Sequence, residues 1–257
     1  MPAKTRKQAP PSPPTGAKRV LLNNIDHKDL RVIAGHSATF GDSVNQVLVF
    51  PTEYEELARE YPIFFRKGPD AAFYSVVVLG LDRDENLFLD AQGWQARYVP
   101  AMQQRGPFVI GLQEQHIDGE VRREPTIQIE VDHPRLSTTD GQPLFLPHGG
   151  NTPYLEHILG VMRAILIGTE KSPQMFAVFE ELGLLREVNL EVKLDETRTY
   201  TLPGLFTIDE ARLAALGGNE LEALHCAGFL RAAFLAATSL GNVARLIELK
   251  NRKTAAS

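Results

Sequence analysis

Along residues 20–150 the apolar positions come in short runs and alternations, the pattern of strands rather than of helices. Residues 30–34 and 46–50 are rich in Val, Ile and Leu and read as short strands. Residues 73–81 are apolar almost throughout, which predicts a strand covered on both faces. Polar residues 82–85 then turn the chain into 86–90, where Leu87 and Leu89 share one face and Phe88 takes the other. Proline sets the helices between these strands. Thr52 and Glu55 have the spacing of a capping box, and Pro62 ends the helix they open by Tyr61, after which 63–65 resume as strand. Pro100 opens a second short helix that stops before Pro107, and 108–115 resume as strand. The two proline-bounded units echo one another, as an internal duplication would. Asp118-Gly119 supplies a hairpin turn into 126–131, and 133–151 form a loop with turn signals at Asp140-Gly141 and Gly149-Gly150.

The second half changes period. Thr152 and Pro153 start a helix to about Ile167 that Gly168 closes; Ser172 and Pro173 start another, stopped by Gly183. Residues 188–194 alternate apolar and polar, and Asp195-Glu196 turns them into 198–202, a hairpin. Thr207 with Glu210 forms a second capping box, opening a helix ended by Gly217 and Gly218. Helices near 220–227 and 229–249 complete the chain, with a kink at Gly241. Tight turns join most strands, so the fold class is α+β: a mostly antiparallel, β-rich N-terminal half with short helices, then a helical half carrying one hairpin. The domain spans 20–250, between a basic, Pro-rich, disordered arm at 1–19 and a frayed tail at 251–257.

Charge sharpens this picture. The net charge of −5 hides the arm's Lys4, Arg6, Lys7, Lys18 and Arg19; the rest holds 22 basic against 32 acidic residues. Such a body repels a phosphate backbone, which argues against nucleic acid as partner. The single cysteine, Cys226, excludes an intrachain disulfide and reads as a small buried hydrophobe in an apolar helix. The basic N-terminus runs into Pro10, Pro11, Pro13 and Pro14 without an apolar signal region. The most apolar candidate for a span, 155–166, is interrupted by Glu156, His157 and Arg163. The expectation is a cytoplasmic protein with no membrane insertion.

Candidate chemistry is sparse. No Walker A, G-x-G-x-x-G, H-E-x-x-H or kinase signature occurs. Pro147-His148-Gly149-Gly150-Asn151 has the look of an esterase oxyanion loop, but the G-x-S-x-G elbow that would accompany it is missing. His116 and Asp118 form an H-x-D pair that, with His133, His148, His157 or His225, would make the facial triad of an Fe(II)-dependent oxygenase. Tyr61, Phe64, Phe88, Trp94 and Tyr98 either fill the core or line a groove in which Asn86 and Asp90 fix a ligand's polar groups. The groove, with Asp140 and the 137–151 loop beside it, is the binding candidate.

The segments that carry a family likeness are Tyr61-Pro62-Ile63, Leu79-Gly80, then Asn86, Leu87, Phe88 and Asp90. Trp94, Tyr98, Val99, Pro100, Ala101, Pro107 and Phe108 follow, then Asp140, Gly141, Pro143, Leu144 and Phe145, and Ala237, Ser239, Leu240 and Asn242 at the end. On these the chain resembles the SapC-like bacterial family over roughly residues 20–250. The family's name derives from a surface-layer locus. Some members are catalogued as transporter components, and members are said to lie beside genes for TonB-dependent receptors and flavin-dependent halogenases. The resemblance implies a supporting role in the cell envelope, surface layer or TonB-linked uptake, and carries over no catalytic residue and no cofactor. The expected function is a non-catalytic binding module whose partner is a protein of such a system, a flavin-dependent halogenase or a peptide. An Fe(II)-dependent oxygenase using His116 and Asp118 is the alternative.

Overall fold

The computed structural model describes residues 18–117, 120–193 and 199–255, the side chains of 114–123 and 193 excepted. The first half runs β1 (Arg19–Leu21), β2 (Arg31–Val32), β3 (Gln46–Val49), α1 (Tyr54–Leu57), β4 (Ile63–Lys67), β5 (Phe73–Val78), β6 (Leu89–Asp90), β7 (Gly93–Trp94), α2 (Ala101–Gln104), β8 (Phe108–Ile117), β9 (Glu120–Glu130), β10 (Leu136–Ser137) and β11 (Gln142–Pro143). The second half runs α3 (Pro153–Glu181), β12 (Leu185–Lys193), β13 (Thr199–Ile208), α4 (Glu210–Ala214), α5 (Gly218–Cys226), α6 (Leu230–Ser239) and α7 (Val243–Ala255). The fold is α+β with antiparallel strand pairs.

Two sheets organise two cores. The larger has the order β12-β13-β4-β5-β3, so the hairpin of the second half completes a sheet begun in the first. Val76, Val77 and Val78 in β5 are buried, as their uninterrupted apolar run requires. The C-terminal turns of α3 bring Phe176 within 5.2 Å of Phe65 and 5.7 Å of Phe73, between ring centroids. Helix α6 presents Ala232, Ala233, Ala236 and Ala237, small residues one turn apart that let its backbone approach α1, β4 and β13. The smaller sheet, β1-β9-β8, lies over the first half of α3 and packs Phe108 and Ile129 with Leu155, Ile158 and Met162 in the second core. Among the described residues one helical run, Leu230–Ala255, is long and apolar enough to cross a membrane. Here its Ala233, Ala236 and Leu246 are packed inside the first core.

Several local expectations are corrected. Helix α3 is continuous where a break at Gly168 and a new start at Ser172-Pro173 were expected. Gly168 is there for closeness, since a Cβ would stand 2.4 Å from the Cβ of Phe50. Ser172 Oγ and Thr169 Oγ1 donate to the carbonyls of Gly168 and Ile165 around Pro173, which has no N–H of its own to give. Neither capping box forms. Glu53, not Glu55, reaches back to the Phe50 N–H at 3.0 Å, while Thr52 donates across to the Ala164 carbonyl. Asp209, not Thr207, caps α4 by accepting from the Arg212 N–H, because Thr207 is buried inside β13. Of 86–90 only Leu89 and Asp90 pair as strand, and with β7 rather than with β5. The 133–151 loop contributes β10 and β11, both paired to β2. Arg19 belongs to β1 rather than to an arm, and α7 continues to Ala255. Cys226 is exposed on α5. The kink expected at Gly241 appears as a 3₁₀ turn, Leu240–Asn242, between α6 and α7. Residues 1–17 and the turns at Asp118-Gly119 and Asp195-Glu196 lie outside the described residues.

Candidate functional site

A buried polar seam joins the two cores, and it collects several of the aromatic residues singled out above. Trp94 Nε1 donates to the Tyr61 hydroxyl at 2.8 Å, which donates to the Tyr98 carbonyl at 2.6 Å. The Tyr98 hydroxyl in turn donates to Glu53, whose carboxylate also accepts the Phe50 and Ala101 N–H groups. Glu53 thus ties both proline-bounded units of the sequence to one point. Burial drives its carboxyl up to about 7, against the lowering pull of those hydrogen bonds. On the far side of Trp94, the His36 ring meets the indole edge-on at 5.5 Å between centroids. His36 Nδ1 lies 3.1 Å from Arg135 Nη2 and 3.4 Å from Asp42 Oδ1. Arg135 and Asp42, both buried, pair at 2.7 Å. Burial works to raise the Asp42 carboxyl, but His36, Arg135 and the Ser37 N–H together hold it below the usual carboxylate range.

The seam is not a groove. Tyr61, Phe64, Phe88 and Asn86 are buried, so the reading of this set as the lining of an open groove is corrected. Tyr61 and Phe88 pack ring on ring at 4.7 Å, as core aromatics do. Phe64 sits in β4 opposite Val76. Asn86 spends its amide on the Asp42 carbonyl and the Phe88 N–H. Trp94 and Tyr98 are half-buried with their polar atoms committed inward. Asp90, exposed, accepts from the Gln92 N–H and Gln95 Nε2, which shapes the β6–β7 hairpin. Asp140 is exposed in the β10–β11 turn, where it accepts from Thr139. No sequence signal marks His36, Asp42 and Arg135, which lie 6 and 93 residues apart and share no motif.

A shallow, open cleft of about 440 Å³ lies elsewhere, over the second core. Its walls are Leu21 and Leu22 at the end of β1, Ile127 of β9, Phe145, and Leu155 and Leu159 on the first turns of α3. Asn23, Asn24 and Asn151 give it an amide rim. The 145–151 loop forms one side. A Phe145–Asn151 bridge and a Leu146 N–H to Gly150 carbonyl bond close it, and Gly149 and Gly150 make the turn at φ +88°, where other residues are strained. Thr152 then caps α3 by accepting from the Leu155 N–H. Among the described residues the cleft lining contains no acid, base or thiol. The Thr126 hydroxyl on its wall has no partner among the described residues. Asp118 and the His116 side chain lie outside the described residues. Among the described ones no three His, Cys, Asp or Glu side chains gather in a way that could hold a metal.

No curated protein and no solved structure matches the chain. A family model, SapC, matches residues 22–246, a span that takes in the seam, the buried residues of both cores and the cleft lining apart from Leu21. This chain belongs to the SapC family.

Proposed function

We propose that this protein is a non-catalytic binding module, accessory to a cell-envelope, surface-layer or TonB-linked uptake system, and that the cleft is its contact surface. One observation carries the reading: a concavity within the size range of ligand sites has apolar walls and an amide rim, with no titratable group among its described lining residues. That lining suits recognition by shape and hydrogen bonding, whereas acid–base or nucleophilic work needs groups it lacks. The buried titratable groups of the seam are taken up by contacts with one another between the cores. The accessory role and the partner, a system protein such as a flavin-dependent halogenase or a peptide, follow from what the family resemblance implies.

Nile red, a neutral apolar dye, tests the cleft. Its fluorescence should rise on binding the full chain, and Leu159→Trp, which intrudes on the cleft, should weaken that binding about tenfold, the equivalent of roughly 1.4 kcal/mol. An unchanged affinity in the variant, at an unchanged melting temperature, overturns the site. A photo-crosslinking residue at Leu21 tests the role: the expected adduct is an envelope or uptake component, and an adduct confined to unrelated proteins overturns it.

A further inference from the structure

From the charges around the cleft we infer its partner's chemistry: an extended peptide segment whose apolar side chains are flanked by Lys or Arg. This rests on the reading of the cleft as the contact surface. Two of the rim asparagines are each held from outside the cleft by a carboxylate. Asn23 Nδ2 donates to Asp26 at 2.9 Å, and Asn151 Nδ2 donates to Glu156 at 2.7 Å. Both acids are exposed, and neither forms an ion pair with a Lys or Arg among the described residues. The nearby Lys28 faces Asp29 instead, at 4.0 Å. An apolar cleft bracketed by two uncompensated carboxylates complements a ligand that is apolar in the middle and cationic on either side.

The main chain beside the cleft favours an extended ligand. β1 is an edge strand of its sheet. The Val131 N–H donates to the Lys18 carbonyl and the Leu22 N–H to the Ile127 carbonyl, so the strand's alternation turns the N–H and C=O of Arg19 and Leu21 outward. No described element pairs with that edge. Leu21 therefore both lines the cleft and offers main-chain groups for strand addition.

The test is fluorescence anisotropy of the full chain with three labelled heptapeptides sharing one Val/Leu centre, flanked by lysines, by glutamates or by serines. The lysine peptide should bind at least about tenfold more tightly than the glutamate peptide, the scale of two surface charge contacts turned from attraction to repulsion. Asp26→Lys with Glu156→Lys should invert that order, while Glu187→Lys with Glu222→Lys, on the other core, should leave it unchanged. Equal loss in both double variants means attraction to the acidic body at large and overturns the proposal. If no peptide binds while Nile red does, the peptide inference falls and the cleft reading stands. If Nile red fails as well, both fall.

Discussion

Glu53 shows how much one residue's role depends on what arrives from elsewhere. Three glutamates, Glu53, Glu55 and Glu56, sit at the start of α1, and sequence spacing favours Glu55 as the cap partner. Glu53 takes that place because the Ala101 N–H and the Tyr98 hydroxyl, over 40 residues on, supply donors only it can reach. No local pattern announces this. The consequence is a pH dependence with a definite sign. The folded-state value of about 7 lies above the ordinary 4.5, so the folded chain holds this proton more tightly. The contribution is complete below pH 4.5 and is lost as pH rises through about 7, a span of about 3 kcal/mol. Of the three donors, only the Tyr98 hydroxyl can turn and accept from the protonated acid. In Glu53→Gln the fixed amide sets its NH₂ against a backbone donor, costing about 1–3 kcal/mol at pH 5. By pH 8 the parent has lost a comparable amount and the two should be nearly equal. Urea midpoints of both proteins at pH 5 and 8 give the difference directly. Taking the difference also removes His133, which burial and Arg135 push down and whose slope runs the other way. A gap that does not narrow with pH would refute the assignment.

Element boundaries were legible where the signal is local. Proline-bounded α1 and α2 and the alternation in β12 come straight from periodicity, because each depends on residues within a few positions. α3 was not legible as one helix, since Gly168 and Pro173 are ordinary stop and start signals and only the packing overrides them. The two residues act oppositely, and substitution separates them. Helix propensity alone makes Gly168→Ala stabilising by about 1 kcal/mol. The contact with Phe50 and Thr52 makes it destabilising by about 1–3 kcal/mol, because backbone and Cβ atoms must move apart. Pro173→Ala should instead raise stability by about 1–2 kcal/mol, since an N–H returns to a helix interior and only part of that gain is offset by unfolded-state entropy. Thermal melts of the two single variants decide it: a stabilised Gly168→Ala would mean that α3 does not lie against Phe50 as described.

At the scale of the molecule, strand identity was readable and strand order was not. β13 reaches β4 from over 130 residues away, and no turn chemistry encodes that meeting. The candidate site divides the same way. The Gly149-Gly150 turn beside the cleft shows in the sequence, but Leu21, Ile127 and Leu159 become one surface only after the smaller sheet lies on α3. The two cores that result are held together by polar contacts as well as apolar ones, and Asp42 with Arg135 is the most buried of these. Asp42 precedes β3 of the larger sheet, and Arg135 follows β9 of the smaller. Both are within a few per cent of full burial, so removing either charge strands the other in a low-dielectric interior. Asp42→Asn and Arg135→Met should each cost about 3 kcal/mol or more. The double variant should cost less than their sum by about 1–3 kcal/mol, because it leaves no stranded charge and a methionine can fill the volume beside Phe40. Each single variant should also separate the cores, melting in two steps when followed by Trp94 fluorescence and by circular dichroism, where the parent melts in one. Strict additivity with a single transition throughout would mean that apolar packing alone joins the cores, and that the seam is a consequence of their contact rather than a cause.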